Sequence, residues 1–456
     1  MKKRELIDLL VQGMEFGGES FGFHEDKKIT FKGGIIGQRV RIMIKKIRKN
    51  KIEGKILSVL QPASIETETV CDHFGICGGC TMLSVPYEKQ LEIKSHQLSG
   101  LFSEYGHDEI KDLIVLSSPK NHGYKNKMEF TFGNESKDAP LSLGMHMKNK
   151  TNSVTTVDTC MIIDSDYQKI LKATVEYFGK LGFPFYKILS HEGFLRHLVV
   201  RKGHHTDELL INLVTTSQMD PDLTDYVELL RALDTQSTIV GILQTINDSF
   251  SDAVLCDELK VLYGRDHFYE KLLGLTFKIS PFSFFQTNSA CAEILYQEVL
   301  NLLGDSKNKT LFDLYSGTGT IGMLASTRVK NVIGIEIIEE AVKMANENCT
   351  LNQITNAKYI AGDVKDTVLD LKDKPDIILL DPPRSGMHPK AIEDVLSFEA
   401  PEIVYVSCNP KALCTELSKF KSHGYLVKSY IGVDQFPNTP HCEMILHLTK
   451  GVIPEI

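Results

Sequence analysis

Four apolar runs between residues 311 and 408 constrain this chain more than any other feature, because each ends at a residue able to touch a ligand. They are Leu311-Phe312-Asp313-Leu314, Val332-Ile333-Gly334-Ile335, Ile377-Ile378-Leu379-Leu380 and Ile403-Val404-Tyr405-Val406. Short, near-continuous apolar runs are the pattern of parallel strands buried on both faces. In an open α/β sheet the ligand crevice lies beyond the carboxyl ends of the strands. Residues 315–319, Glu336, Asp381 and Cys408 are therefore expected to converge there.

A chain of 456 residues exceeds one ordinary core, and length alone suggests roughly two to four domains. With 42% hydrophobic and 24% charged residues it reads as a soluble globular protein. No apolar run nears the roughly 18 residues that span a bilayer, and Met1-Lys2-Lys3-Arg4-Glu5 leads into no signal-peptide core. A cytoplasmic monomer with no membrane partner is the expectation. Ten cysteines without a secretory signal argue for metal ligation, catalysis or packing rather than a disulfide framework. The net charge of -8 looks wrong for a nucleic-acid binder until it is resolved along the chain. Between residues 27 and 55 stand eleven Lys or Arg and one acid, Glu53, a local +10 that leaves the rest at -18. A basic module on an acidic body suits an RNA binder, although a solvated face is the plainer reading of a charge run alone.

Residues up to about Ala63 have the texture of a small β-barrel, with glycine pairs at Gly17-Gly18 and Gly33-Gly34. Val40, Ile42 and Ile44 alternate with Arg41, Met43 and Lys45, which puts positive charge opposite the core. Phe21, Phe23 and Phe31 beside this run would suit a platform for single-stranded nucleic acid, and would equally serve as barrel core. The pattern Gly17-Gly18-Glu19-Ser20-Phe21-Gly22, followed by glycines 33 to 37 and a basic strand, resembles the TRAM domain, an OB-like RNA-binding barrel.

Cys71, Cys77 and Cys80 stand close together among glycines, a density of thiols that in a cytoplasmic protein points to a metal. Cys160 is the candidate fourth ligand, and for this cysteine an unligated state stays open. Spacing does not separate zinc from a [4Fe-4S] cluster. Barrel and cysteines together resemble the iron-sulfur-containing 23S rRNA uracil-C5 methyltransferases, which favours [4Fe-4S] over zinc and implies a structural or RNA-positioning role.

Between residues 84 and 275 short β-like runs alternate with polar turns, and residues 87 to 105 have helical periodicity. Residues 123–130 and 195–201 place basic groups between strand-like residues. Both match segments of a central RNA-facing β domain in that family, and exposed structural ion pairs are the plainer alternative.

The loop Tyr315-Ser316-Gly317-Thr318-Gly319 follows a buried strand and should open a helix, the context of a nucleotide-binding glycine loop. Glycines there would let the backbone approach a ligand closely. Glu336 ends the next strand, placed for ribose hydroxyls, and Asp363 would end the strand after it, near an adenine. Gly317, Gly319 and Gly322 also satisfy a dinucleotide fingerprint. What separates the two is Asp381-Pro382-Pro383-Arg384, which resembles S-adenosylmethionine-dependent RNA methyltransferases, together with Ser283-Phe284-Phe285-Gln286-Thr287-Asn288, whose glutamine contacts the cofactor in the family. The resemblance implies Gln286, Tyr315, Glu336 and Asp381 as cofactor residues.

Uracil C5 is a poor nucleophile. A thiolate adding at C6 activates it, and a base must then remove the C5 proton. Cys256, Cys291, Cys349 and Cys414 sit in apolar or helical contexts that suggest packing, and the neighbours of Cys442 do not rank it. Cys408, in Ser407-Cys408-Asn409-Pro410, stands at a strand end and matches the family's nucleophile motif. Glu443, after Pro440-His441-Cys442, occupies its proton-abstracting position. A Cys408-His441 thiol hydrolase is a weaker rival.

The resemblance, which spans nearly the whole chain, implies a multidomain α/β protein. Its parts would be a TRAM-like OB barrel (1–63), a central mixed or β domain carrying the four-cysteine cluster (64–275) and a Rossmann-like S-adenosylmethionine methyltransferase domain (276–456). The segment from about 87 to 118 is a candidate to pack on the last. The implied activity is 5-methyluridine formation in 23S rRNA. A tRNA uracil-C5 methyltransferase, an RNA cytosine-C5 methyltransferase and an inactive RNA-binding protein stand as alternatives.

Overall fold

The chain folds into two compact units, each assembled from separated stretches: Met1–Thr69, Cys80–Ser118 and Val368–Ile456 in one, Val70–Gly79 and Pro119–Thr367 in the other. The structure is a computed structural model that describes residues 1–49, 51–148, 150, 152–367 and 373–451. The stretches 1–63, 64–275 and 276–456 do not coincide with this division, and the last boundary lies outside the described residues.

The first unit begins with a six-stranded sheet. Leu6–Leu10 pairs with Arg39–Arg48, followed in order by Lys51–Gln61, Lys27–Lys32, Glu19–His24 and Gly13–Glu15. Alternation along Arg39–Arg48 buries Val40, Ile42 and Ile44 completely, and they join Ile7, Leu9, Val11, Ile29 and Phe31 in one apolar core. Phe31 belongs to that core, whereas Phe23 is 46% exposed and Phe21 lies under the Lys28 ammonium, 4.2 Å from the ring centre.

The rest of this unit carries Ile377–Leu380, Glu402–Ser407, Glu443–Lys450, Tyr425–Val433 and the short Val115–Leu116 as neighbouring strands in that order. The first pair is parallel, with Leu380 beside Tyr405, and Glu443–Lys450 runs antiparallel to both of its neighbours. Helix Pro410–Ser422 starts with proline at its first turn and the Asn409 side chain as cap, so the chain turns abruptly from strand to helix at Cys408. Helix Tyr87–Glu104 packs against it.

In the second unit a seven-stranded sheet holds Val154–Thr156, Ser142–His146, Lys127–Gly133, Leu195–Lys202, Glu208–Thr215, Thr238–Ile246 and Glu258–Gly264 in order, antiparallel except where Glu208–Thr215 meets Thr238–Ile246. Tyr177 and Phe178 of helix Ser165–Leu181 stack against Tyr226, with Phe178 edge-on to Phe132 of the sheet. This unit also holds the parallel neighbours Ala357–Ala361, Val329–Glu336 and Ser306–Leu314, with helices Ser289–Leu303, Thr320–Ala325 and Glu339–Leu351 between and around them in sequence. Among the described residues no helix is long and apolar enough to cross a membrane.

Candidate active site

Strand pairing brings Cys408 and Glu443 together. Glu402–Ser407 runs antiparallel to Glu443–Lys450 with Ser407 opposite Met444, so Cys408 and Glu443, the next residue on each side, lie at the same end of this pairing. Asp381 follows Ile377–Leu380, the parallel neighbour on the other side. Cys408 is half-buried, Glu443 only 2% exposed. Burial, then the Asp381 charge, lifts the Glu443 carboxyl to about 8, with the Arg384 guanidinium working against both. Burial among protein atoms lifts Asp381 to about 7, although its surface is not fully closed to solvent. Burial, then the charges of Glu443 and Asp381, pushes the Cys408 thiol up to about 11, again opposed by Arg384. The arrangement is a thiol beside two proton-holding acids, able to add covalently and to accept a proton at one place.

The Arg384 carbonyl accepts from the Asn409 side-chain amide at 2.8 Å, and the Asn409 N–H donates to Ser407 Oγ at 3.1 Å. Together these bonds join the Asp381-Pro382-Pro383-Arg384 turn to the thiol segment. The turn continues through Gly386, whose N–H donates to the Pro383 carbonyl and whose φ is 76°. Buried Glu416 accepts there from the Met387 N–H at 2.7 Å and from the Tyr405 hydroxyl at 2.5 Å.

In the second unit the glycine loop lies where the sequence predicts it, between strand Ser306–Leu314 and helix Thr320–Ala325. Its glycines do different jobs. Gly317 (φ 54°) faces open space, as a ligand-approach position should, whereas a Cβ on Gly319 (φ 75°) would sit 2.6 Å from the Tyr359 ring. Gly319 is thus required by packing. The Glu336 carboxylate accepts from the N–H groups of Gly317 and Ile338, both at 3.0 Å. Asp363 stands beyond its strand, which ends at Ala361, and leads the short helix Val364–Thr367. Gln286 is buried, and the segment around it is held by Asn126, which donates to the Gln286 carbonyl at 3.0 Å, and by Thr318, which donates to the Phe284 carbonyl at 3.3 Å.

Two basic residues differ from both readings the sequence offered. Arg201 is buried and donates to the carbonyls of Ser280, Pro281 and Ser283; Arg196, also buried, donates to those of Asn247, Ser249 and Ser251. Neither is a surface ion pair or an exposed grip on RNA. Each fixes a loop, because a guanidinium out of water needs its donors satisfied.

Cys71, Cys77 and Cys160 are half-buried in the second unit. The Gly79 N–H donates to the Cys77 sulfur at 3.3 Å, and Thr159 donates to Asp72 at 3.1 Å, stitching the two segments. Burial raises the Cys77 thiol and takes Cys160 to about 11, with the neighbouring thiols adding to each. Mutually interacting thiols with an amide on one sulfur are the donor chemistry of a thiolate-held metal or cluster. Among the described residues, no three His, Cys, Asp or Glu side chains are gathered as a metal-binding group. Cys80 lies in the first unit, half-buried. Of the cysteines expected to pack, Cys291, Cys349 and Cys414 are buried but Cys256 is exposed, outside any strand or helix.

The family model described as tRNA (Uracil-5-)-methyltransferase matches residues 86–451. The chain belongs to that family. It is therefore a methyltransferase. An "Uncharacterized RNA methyltransferase" of Clostridium tetani is 48% identical over 450 residues, covering 99% of both chains. One from Caldanaerobacter subterraneus is also 48% identical, over 99% of this chain and 100% of its own. Among solved structures, Pyrococcus abyssi tRNA (uracil-54, C5)-methyltransferase in complex with S-adenosyl-L-homocysteine superposes with a TM-score of 0.76 at 25% identity, covering 97% of this chain and 100% of that one.

Motif reading assigned no role to Glu416, Gln90, Lys94, Asp434 and Asn438, all buried. A signal for three of them was present. Glu416 interrupts the apolar face shared by Leu413, Leu417 and Phe420, and Gln90 and Lys94 share the buried face of Leu98 and Leu101. A polar group on a buried helical stripe has a partner to find.

Proposed function

We propose that this methyltransferase transfers a methyl group from S-adenosylmethionine to C5 of uracil in 23S rRNA. The observation that carries the proposal is a thiol and a proton-holding carboxyl side by side at one strand end. Gln286, Tyr315, Gly317, Gly319, Glu336, Asp363 and Asp381 are proposed to bind the methyl donor, which when bound supplies an electrophilic methyl on its sulfonium.

With the protons of the Cys408 thiol and the Glu443 carboxyl released to solvent, Cys408 Sγ as thiolate adds to C6 of the uracil, and the displaced π electrons make C5 a nucleophilic enolate carbon. At rest burial and the neighbouring acids hold the thiol's titration up, with the Arg384 guanidinium opposing them. Once C5 has taken the methyl, Glu443 accepts the C5 proton, the C5–C6 double bond re-forms and the C6–Sγ bond breaks. A carboxylate that titrates near 8 is a stronger base than an ordinary glutamate once ionised. Uracil in folded RNA is stacked, so the target must be flipped or taken from a loop, with the basic amino-terminal sheet, read as a TRAM-like barrel, helping to hold it.

Cys71, Cys77, Cys80 and Cys160 are proposed to ligate a [4Fe-4S] cluster, zinc being the runner-up. The interacting thiols of three of them support this, and no reaction step runs through the group. A second reading, tRNA as substrate, is favoured by the likeness to the Pyrococcus abyssi tRNA enzyme over nearly the full chain.

Incubating 5-fluorouridine-substituted RNA with methyl donor should trap a denaturant-stable adduct through Cys408, because fluorine cannot leave as a proton does. Absence of adduct with wild type would sink the mechanism. Methylation at cytosine would indicate the cytosine-C5 reaction, and RNA binding without methyl transfer would indicate an inactive binder. Mapping 5-methyluridine in both rRNA and tRNA of a deletion strain separates the two uracil substrates.

A further inference from the structure

We infer that Gln90, Lys94, Asp434 and Asn438 form a clasp that aims Glu443, making them positioning residues for proton abstraction. The inference rests on the proposed role of Glu443 as base.

The clasp closes from one helix onto one loop. In Tyr87–Glu104 the side chains of Gln90 and Lys94 face inward, 1% and 0% exposed. Gln90 engages Asn438 twice: its Nε2 donates to Asn438 Oδ1 and its Oε1 accepts from the Asn438 N–H, both at 2.9 Å. The same Nε2 donates to the Met82 and Val85 carbonyls. The Asn438 carbonyl in turn accepts from the N–H groups of Thr81 and Met82 at 3.0 and 3.1 Å. Asn438 sits at φ 66°, a conformation that asparagine tolerates better than most residues. One helical turn on, Lys94 Nζ donates to Asp434 Oδ1 at 2.5 Å and to the Phe436 carbonyl at 3.3 Å, and neither side chain of this ion pair is exposed at all. The stretch from Asp434 to Asn438 is thereby pinned at both ends.

That stretch connects Val433 to Glu443, which face each other across the strand pair Tyr425–Val433 and Glu443–Lys450. Among the described residues no hydrogen bond reaches the Glu443 carboxyl, whose proton is held by burial and by the charge of Asp381. With no tether of its own, the carboxyl points where the backbone and the covering loop direct it. A buried ion pair is weak evidence for stability, and this one ties the loop to the helix. Cys408 is fixed separately, through Asn409, Ser407 and the Arg384 carbonyl. Loosening the clasp should therefore disturb the base and spare the nucleophile.

The test uses full-length protein, methyl donor and an RNA transcript carrying [5-3H]uridine, with Gln90→Met and, separately, the double variant Lys94→Met, Asp434→Leu. Formation of the denaturant-stable adduct on a separate 5-fluorouridine transcript measures Cys408; tritium release from the [5-3H]uridine transcript measures Glu443. In both variants adduct formation is expected to stay within about twofold of wild type while tritium release slows about tenfold or more. On the [5-3H]uridine transcript methylated adduct then builds up, as is expected also of Glu443→Gln, and KM for RNA is unchanged. Parallel loss of both signals, wild-type behaviour in both, or failure of both variants to fold overturns the clasp and leaves these residues a purely structural role. If only Gln90→Met fails to fold, the double variant decides. Wild type that releases no tritium would overturn the function itself and not the clasp.

Discussion

Glu443 holds its proton to about pH 8, while the same side chain in an unfolded chain releases it near 4.5. Between those values the native state binds a proton that the unfolded state has lost, so stability is full below the lower value and declines as pH rises through the upper one. The slope is about 1.4 kcal/mol per pH unit within the window, reduced by any solvent or ligand relaxation. Glu443→Gln removes this dependence. In thermal melts the variant should match wild type near pH 4.5 and exceed it increasingly up to pH 8 to 9; a constant offset across that range would show that the carboxyl is not proton-linked to folding. Nothing in the local sequence marks Glu443 as buried. Its neighbours would suit a surface turn, whereas in the fold it pairs with Val433 and is only 2% exposed. Cys408 is different, since an apolar run ending in Ser-Cys-Asn-Pro already describes a strand halted by a helix cap and a proline.

The glycine loop is an element whose position is legible and whose internal division of labour is not. Gly-x-Gly after a buried strand predicts a tight strand-to-helix turn, and the turn is there. That Gly319 makes room for Tyr359 follows from a ring brought in by a distant strand, Ala357–Ala361, whose Tyr359 hydroxyl donates to the Gly319 carbonyl at 2.9 Å. Gly317→Ala should cost only the left-handed backbone conformation, about 1–2 kcal/mol. Gly319→Ala should cost that plus about 1–3 kcal/mol of overpacking, and Tyr359→Leu in the same chain should restore part of the second amount. Denaturant titration of the three variants measures both; equal costs at Gly317 and Gly319 would remove the packing role. Helix Tyr87–Glu104 presents the same limit: its period is evident from sequence, but not that Lys94 finds Asp434 far along the chain.

Across the molecule, charge is as informative as pattern. Lys45, Lys46 and Arg48 stay exposed at the end of strand Arg39–Arg48. If they grip RNA phosphates, replacing each by Gln should lower the slope of log affinity against log salt by about 0.7 for single-stranded RNA; filter binding at several salt concentrations reads this, and an unchanged slope would assign the run to solvation. The equally basic Arg196 and Arg201 illustrate why charge alone misleads, since burial turns them into loop braces. Sequence by itself determined the parallel strands, the glycine loop, the barrel-like alternation and the thiol at a strand end, because each follows from local period, turn chemistry and proline or glycine stereochemistry. Resemblance already named Glu443 as the acid for that thiol, but tertiary structure alone decided how high both titrate and what holds the acid's loop in place. Those properties depend on strand register and on exclusion of water between segments hundreds of residues apart, such as Gln90 and Asn438, and no local pattern encodes either.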